Sequence, residues 1–394
     1  MKRDYMFTSE SVTEGHPDKL CDQIADALVD HYLLQEPMAR VVAECAVSNG
    51  ILFIATRHSA GVSVDVPEVA RQVIRQVGYE GEDFNADGCT VMTSLSELPP
   101  ATEMDERQLD DAGIEAIPAR NMANVFGFAC DQTPALMPLP IWLAHKLARR
   151  LAAARLQRQL NYLAPDGKVQ VGVRYCAGRP CAIHAITLVA SQHQGLAVDS
   201  ARLREDLYAH VIDPVFLDEP LVPDAATRVD INPDGVFVDG GPLTHSGLTG
   251  RKNAIDTYGE YSRQSESALS GKDPARIDRV GAYAARHAAK NVVAAGLADL
   301  CEVQLTYAIG QSRPVSIQVD THHSGRLEDQ EIAARLARIF DFRPAGIVRR
   351  FDLRHLPQLR KGGFYRRLAA YGQVGRMDLG LPWERTDQAA ALRD

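Results

Sequence analysis

Short apolar runs and segments of helical period alternate along this chain, and the alternation falls into three blocks. A run of strand length pairs its backbone in a sheet, and a helix with one apolar stripe lays it on something. This pattern therefore calls for sheets covered by helices. Leu20, Ile24, Ala27 and Leu28 recur at helical spacing after Pro17, a residue tolerated near a helix start. The apolar run 41–47 is followed by Ser48-Asn49-Gly50 and then by 51–56, and Asn-Gly between two such runs signals a hairpin. Val69, Val73 and Val77 share a helical face, 89–95 reads as a strand, and Pro99-Pro100 closes the first block. Segment 103–124 is polar and without apolar period, which suits a mobile loop.

The second block holds a helix over 142–160, whose arginines read as a solvated face rather than a nucleic-acid patch. Paired strands at 169–175 and 182–189 and a helix at 203–211 follow, then a turn at Asn232-Pro233-Asp234-Gly235 before Val236-Phe237-Val238. In the third block 282–296 is helical, with Gly296 placed to cap it. Val303, Leu305, Tyr307 and Ile309 alternate as a half-buried strand; 315–319 is another, and 328–340 a further helix. At 394 residues the chain exceeds one ordinary core, so two or three domains are expected.

Composition narrows the function. No apolar run is long enough to span a membrane, and Met1-Lys2-Arg3-Asp4-Tyr5 leads into no signal-peptide core. A net charge of −8 argues against general nucleic-acid binding, so positive charge is local, as for a small polyanion. The seven cysteines are scattered; Cys176 and Cys181 are the closest pair and have no second pair for zinc. They read as small buried or half-buried thiols in a reducing cytoplasm.

Two loops concentrate that positive charge: G-L-T-G-R-K at 247–252, and S-G-K-D-P at 270–274 with Asp278 just beyond. Glycine lets backbone N–H groups approach an anion, cations at the loop ends neutralise it, and a nearby carboxylate can hold Mg²⁺ on a polyphosphate. Taken alone, either loop reads first as a basic surface turn. A third segment, S-E-S-V-T-E-G-H-P-D-K at 9–19, puts His16 and Asp18 at a helix start, where anions are favoured; alone it reads as a cap.

These segments, with A-P-D-G-K at 164–168, S-G-K-D-P-A-R-I-D-R at 270–279 and A-K-N-V-V-A-A-G-L-A-D at 289–299, resemble the methionine adenosyltransferase (S-adenosylmethionine synthetase) family. The resemblance runs from Phe7 to about Arg385. It implies an α/β (α+β) fold of three similar domains with pseudo-threefold symmetry, here 1–101, 118–235 and 236–388. It implies a reaction in which a nucleophile attacks C5′ of ATP and triphosphate leaves, later to be hydrolysed. It also implies a homodimer or homotetramer with active sites between subunits. On the family pattern His16, Lys168, Arg251, Lys252 and Lys272 contact triphosphate, and Phe237 stacks on adenine. Asp18 and Asp278 hold two Mg²⁺, and Glu44 is a K⁺ ligand. Without the resemblance Phe237 reads as core, and Glu44 equally as a strand face open to water. A thioether nucleophile carries no proton, so that chemistry rests on preplaced cations and metal.

The departures from the pattern cluster where the family holds methionine. Arg57 stands at the glutamate position, Leu98 at the glutamine, His245 at the aspartate, and Arg276 keeps a cation. In the loop the family writes G-A-G-D-Q-G the aspartate is Asn121. Carboxylates that would receive an ammonium are gone, and Arg57 would repel one at a cost of several kcal/mol. The expectation is an ATP-dependent adenosyltransferase whose small-molecule acceptor is more anionic than L-methionine. The alternatives are an ordinary S-adenosylmethionine synthetase and a silent regulatory subunit; the intact cation and carboxylate set speaks against the last.

Overall fold

The computed structural model describes residues 4–59, 61–81, 84–99, 104–238, 240–360 and 362–394; the expectations touching Met1-Lys2-Arg3, Pro100 and the start of 103–124 lie outside them. Along the first third run Tyr5–Val12 (β1), Pro17–Gln35 (α1), Val41–Ser48 (β2), Ile51–Ser59 (β3), Val66–Val77 (α2) and Thr90–Leu98 (β4). After Asp111–Glu115 (α3) the order recurs as Ala123–Cys130 (β5), Leu139–Leu156 (α4), Leu163–Cys176 (β6), Arg179–Gln192 (β7), Ser200–Leu207 (α5), Asp213–Phe216 (α6) and Arg228–Ile231 (β8). It recurs again as Gly247–Leu248 (β9), Asn253–Asp256 (α7), Ile277–Ala294 (α8), Leu300–Tyr307 (β10), Ser316–Asp320 (β11) and Asp329–Ile339 (α9). Pro344–Phe351 (α10) and Ala389–Arg393 (α11) close the chain.

Each third gives its first strand to another third. The sheets are β1-β6-β7-β8, β11-β10-β5 and β4-β3-β2-β9. Thus β1 pairs with β6, β5 with β10, and β9 with β2, all antiparallel. Each sheet is covered by one long helix lying across its hairpin and the strand it received: α1 on β2 and β9, α4 on β6 and β1, α8 on β5 and β10. The apolar stripes explain the placement. Leu20, Ile24 and Leu28 of α1 share one core with Val69 and Val73 of α2 and with Ile54 of β3. Asn49 and Gly50, with φ of 45° and 77°, make the β2–β3 turn expected of Asn-Gly.

Three expectations need correction. Segment 103–124 is not a structureless loop. Its short helical turns are pinned by ion pairs from the last third: Arg354 Nε donates to Glu106 Oε2 at 2.8 Å, and Arg343 reaches Asp111 and Glu115. Ile114 lies fully buried beneath. The arginines of α4 are not simply solvated. Arg155 reaches Glu14 and the carbonyl of Val77, Arg150 donates to the carbonyl of His210, and Arg149 pairs with Asp378. Cys176 and Cys181 form a disulfide across the β6–β7 hairpin, with Cα atoms 5.8 Å apart. The cysteine count therefore carries no argument for a reducing compartment. The other five cysteines are free and buried, as expected. No helix among the described residues is long and apolar enough to cross a membrane.

Candidate active site

Helix α1 organises the site. Its acidic residues Asp18, Asp22, Asp26 and Asp30 recur every fourth position, which puts them on one face, and all four are buried. Each accepts backbone N–H groups from the last third. Leu248 donates to Asp18 at 2.9 Å, Gly250 to Asp22 at 2.8 Å, and Gly271 to Asp26 at 2.8 Å. Phe364, Tyr365 and Arg366 all donate to Asp30. Both glycine-cation loops are thus fastened to one helix. Close approach requires the glycines: a Cβ on Gly247 would lie 2.2 Å from the Pro17 carbonyl oxygen, and one on Gly271 2.0 Å from that of Ala43. Two buried cations complete the fastening. Lys19 bridges Asp22 and Asp256 at 2.9 and 2.5 Å, and Arg279 meets Asp26 at 2.6 Å. Burial works against the Lys19 charge, but the two aspartates outweigh it and raise its pKa. Asp256 is pushed up to about 7 by burial, with Lys19 opposing. Of these fastening residues the sequence reading marked only Asp18, although the four-residue step of the aspartates was there to be read.

The first candidate group gathers at the start of α1. His16 caps the helix, its Nδ1 accepting from the Asp18 N–H at 3.2 Å, so the ring proton sits on Nε2. Burial, then the neighbouring His245, Lys168, Lys252 and Lys19, push the His16 pKa down to about 2. The ring is neutral and presents a donor. His245 packs 4.8 Å from it, centroid to centroid. His245 Nε2 lies 3.1 Å from Asp166 Oδ2, an oxygen that also accepts from the Gly241 N–H. Asp166 belongs to the A-P-D-G-K segment, where sequence reading marked only Lys168. Lys252 pairs with Glu10 at 2.9 Å, and Arg251 approaches Asp18 to 3.4 Å. Burial raises the Asp18 pKa, opposed by the Leu248 N–H and Arg251. Lys168 is exposed on β6, and Phe237 is half-buried against Gly240.

The second group lies further along α1. From Asp18 to Asp26 is about 12 Å of helix, and there Lys272 bridges the backbone of Val42. Register carries the rest: Val42 faces Arg57, which faces Ser96, and Glu44 faces Ala55 one row on. Alternation puts Glu44, Arg57 and Leu98 on the same face of the β4-β3-β2-β9 sheet. Glu44 and Arg57 are exposed, and their side chains make no hydrogen bond or ion pair among the described residues, although the Glu44 charge acts on Lys272. Asp278, in the first turn of α8, lies 3.8 Å from Lys272 and accepts from the Asn121 amide at 3.1 Å. Burial lowers the Lys272 pKa, with Asp278 opposing. Arg276 caps α8 close by. The same face carries Ile51, Phe53, Met92 and Leu248, which are 49, 43, 53 and 45 % exposed, among the small polar residues Ser48, Thr90, Ser94 and Ser96.

Three strand-exchanging α/β units thus carry two sets of cations and carboxylates fastened to α1. Comparison with known proteins gives the family. Family models of S-adenosylmethionine synthetase match throughout: the N-terminal domain at 4–100, the central domain at 116–237 and the C-terminal domain at 239–385. The chain is 49 % identical to the S-adenosylmethionine synthase of Trichormus variabilis over 100 % of its length and 97 % of that relative. It is 48 % identical to that of Synechococcus elongatus, over 100 % and 98 %. The chain belongs to the S-adenosylmethionine synthetase family and is an adenosyltransferase.

Proposed function

We propose that this enzyme transfers the 5′-deoxyadenosyl group of ATP to a small acceptor, with triphosphate as leaving group, at sites completed by a second copy of the chain. The observation that carries the reading is the division of the candidate residues. His16, Asp18, Lys168, Arg251 and Lys252 gather at the start of α1, while Lys272 and Asp278 lie by Asp26, about 12 Å further along that helix, with Glu44 on β2 between the two loops beside an open sheet face. A second subunit covering that face would bury it and bring the complementary group to each half-site. His16 Nε2–H, Lys168, Arg251, Lys252 and Lys272 would then hold the triphosphate. These groups are fixed before the reaction, so they stabilise the charge that develops on the leaving group without reorganising.

Asp18 and Asp278 suit Mg²⁺: both are carboxylates, the hard donors that ion prefers. Asp18 spends one oxygen on the Leu248 N–H. Asp278 accepts from a neutral amide. When bound, Mg²⁺ neutralises charge on the phosphates. Exposed Glu44, whose side chain makes no hydrogen bond or ion pair among the described residues, suits K⁺.

For the acceptor we read a molecule more anionic than L-methionine. Among the described residues Arg57 stands unpaired on the open face, and His245, an imidazole held by Asp166, offers no carboxylate to an ammonium. Identity of 48–49 % with S-adenosylmethionine synthases across the whole chain favours the second reading, with methionine itself as acceptor. Steady-state S-adenosylmethionine formation at saturating ATP and Mg²⁺ separates them. Our reading expects poor use of methionine, improved by Arg57→Glu with His245→Asp. A catalytic efficiency of roughly 10⁴ M⁻¹s⁻¹ or more with L-methionine establishes the second reading instead.

A further inference from the structure

We infer that His16, Asp166 and His245 form a binding site for a divalent transition-metal ion such as Co²⁺ or Zn²⁺, separate from the carboxylates assigned to Mg²⁺. One nitrogen from each ring and one Asp166 oxygen lie within 4.8 Å of one another. Metal–ligand bonds of 2.0–2.2 Å place tetrahedral ligands about 3.4 Å apart. The His245–Asp166 separation of 3.1 Å is already in that range, and the widest gap closes with a shift of about an ångström. A second observation points to a ligand. Asp166 is 2 % exposed, and while its Oδ2 meets His245 and the Gly241 N–H, its Oδ1 is buried without a hydrogen-bond partner among the described residues. An unmatched buried carboxylate oxygen is costly, and a cation is one way to satisfy it.

The donor set selects the ion. Two imidazoles and one carboxylate suit Co²⁺, Ni²⁺ and Zn²⁺, whereas Mg²⁺ asks for oxygen ligands. Three protein ligands leave a fourth position for water or a phosphate oxygen. A metal on His16 Nε2 moves the ring proton to Nδ1 and frees the Asp18 N–H, so in the metal-loaded form His16 reaches a phosphate oxygen through the metal's fourth position rather than by its own N–H. The Gly241 N–H anchors Asp166 at 2.9 Å. The site depends on His245, so it arises from one of the residues by which this chain departs from its family's pattern.

The test is a titration of full-length, metal-stripped protein with Co²⁺ in excess Mg²⁺, followed by visible d–d absorption and by calorimetry. One tight equivalent with the absorption of a nitrogen-ligated ion is expected. His245→Gln, at a partly exposed position, should weaken it by more than about 100-fold while circular dichroism stays unchanged. Asp278→Asn, in the other group, should retain it. Absence of a Mg²⁺-resistant equivalent in the unmodified protein overturns the site, as does undiminished binding by folded His245→Gln. If Asp278→Asn abolishes binding, the ion sits with the Mg²⁺ carboxylates and the assignment is wrong.

Discussion

At the scale of single residues, the environment decides what a side chain can do. His16 is neutral because burial and nearby cations disfavour its charge, so its ring should not titrate between about pH 5 and 8; imidazole NMR shifts check this. A titration step of His16 in that range would contradict the buried, cation-flanked position. Lys272→Ala and Asp18→Asn each remove one preplaced charge from the proposed triphosphate site. Each is expected to lower the rate of triphosphate or phosphate release by about 10²–10³-fold. Unchanged turnover in both would remove the site assignment. The motifs around these residues were legible in sequence because the chemistry demands particular side chains beside particular glycines. Asp166 was not singled out, since its importance comes from His245, 79 positions away, reaching its carboxylate.

At the scale of elements, helix α1 fastens loops rather than merely covering a sheet. Arg279 is wholly buried and paired with Asp26. Asp26→Asn leaves that guanidinium without a counter-charge, and a loss of about 3–5 kcal/mol is expected in denaturant unfolding. Glu68→Gln at the exposed Arg75 pair, by contrast, should leave the unfolding midpoint nearly unchanged. A second test uses pH. Burial would raise the Glu384 pKa, but Arg286 and Lys290 outweigh it and hold it at about 2. Its folded pKa is depressed, so the unfolded chain binds the proton more readily. The pair's stabilisation is present above about pH 4.3 and is lost as pH falls toward 2. Glu384→Gln should therefore destabilise strongly at pH 7, and its deficit relative to wild type should shrink at pH 3. A pH-independent deficit would mean that packing, not charge, dominates there. Element type was readable from period and turn chemistry, as the α1 stripe and the Asn49-Gly50 turn show. The pinning of 103–124 was not, because its partners Arg343 and Arg354 are more than two hundred residues away.

At the scale of the molecule, strand exchange ties the thirds together, and the open face with Phe53 and Met92 is the one proposed for a second copy. If each site takes one residue group from each subunit, mixing His16→Ala with Lys272→Ala protein restores activity. Half the dimers are mixed and each has one intact site of two, so about a quarter of wild-type activity returns. No recovery on mixing, or a fully active monomer in sedimentation, would refute the shared site.

The sequence by itself determined the helices, the hairpins, the glycine-cation loops and the family, because local period, turn residues and contiguous motifs are properties of neighbours along the chain. Tertiary structure alone decided that β1, β5 and β9 serve other thirds' sheets and that four aspartates of α1 clamp loops from the chain's far end. It alone showed Cys176 bonded to Cys181, and His245 meeting Asp166 and His16. Those outcomes depend on which distant groups are brought within a few ångströms in a poorly solvated interior. There an unmet charge or hydrogen bond costs more than any local preference supplies.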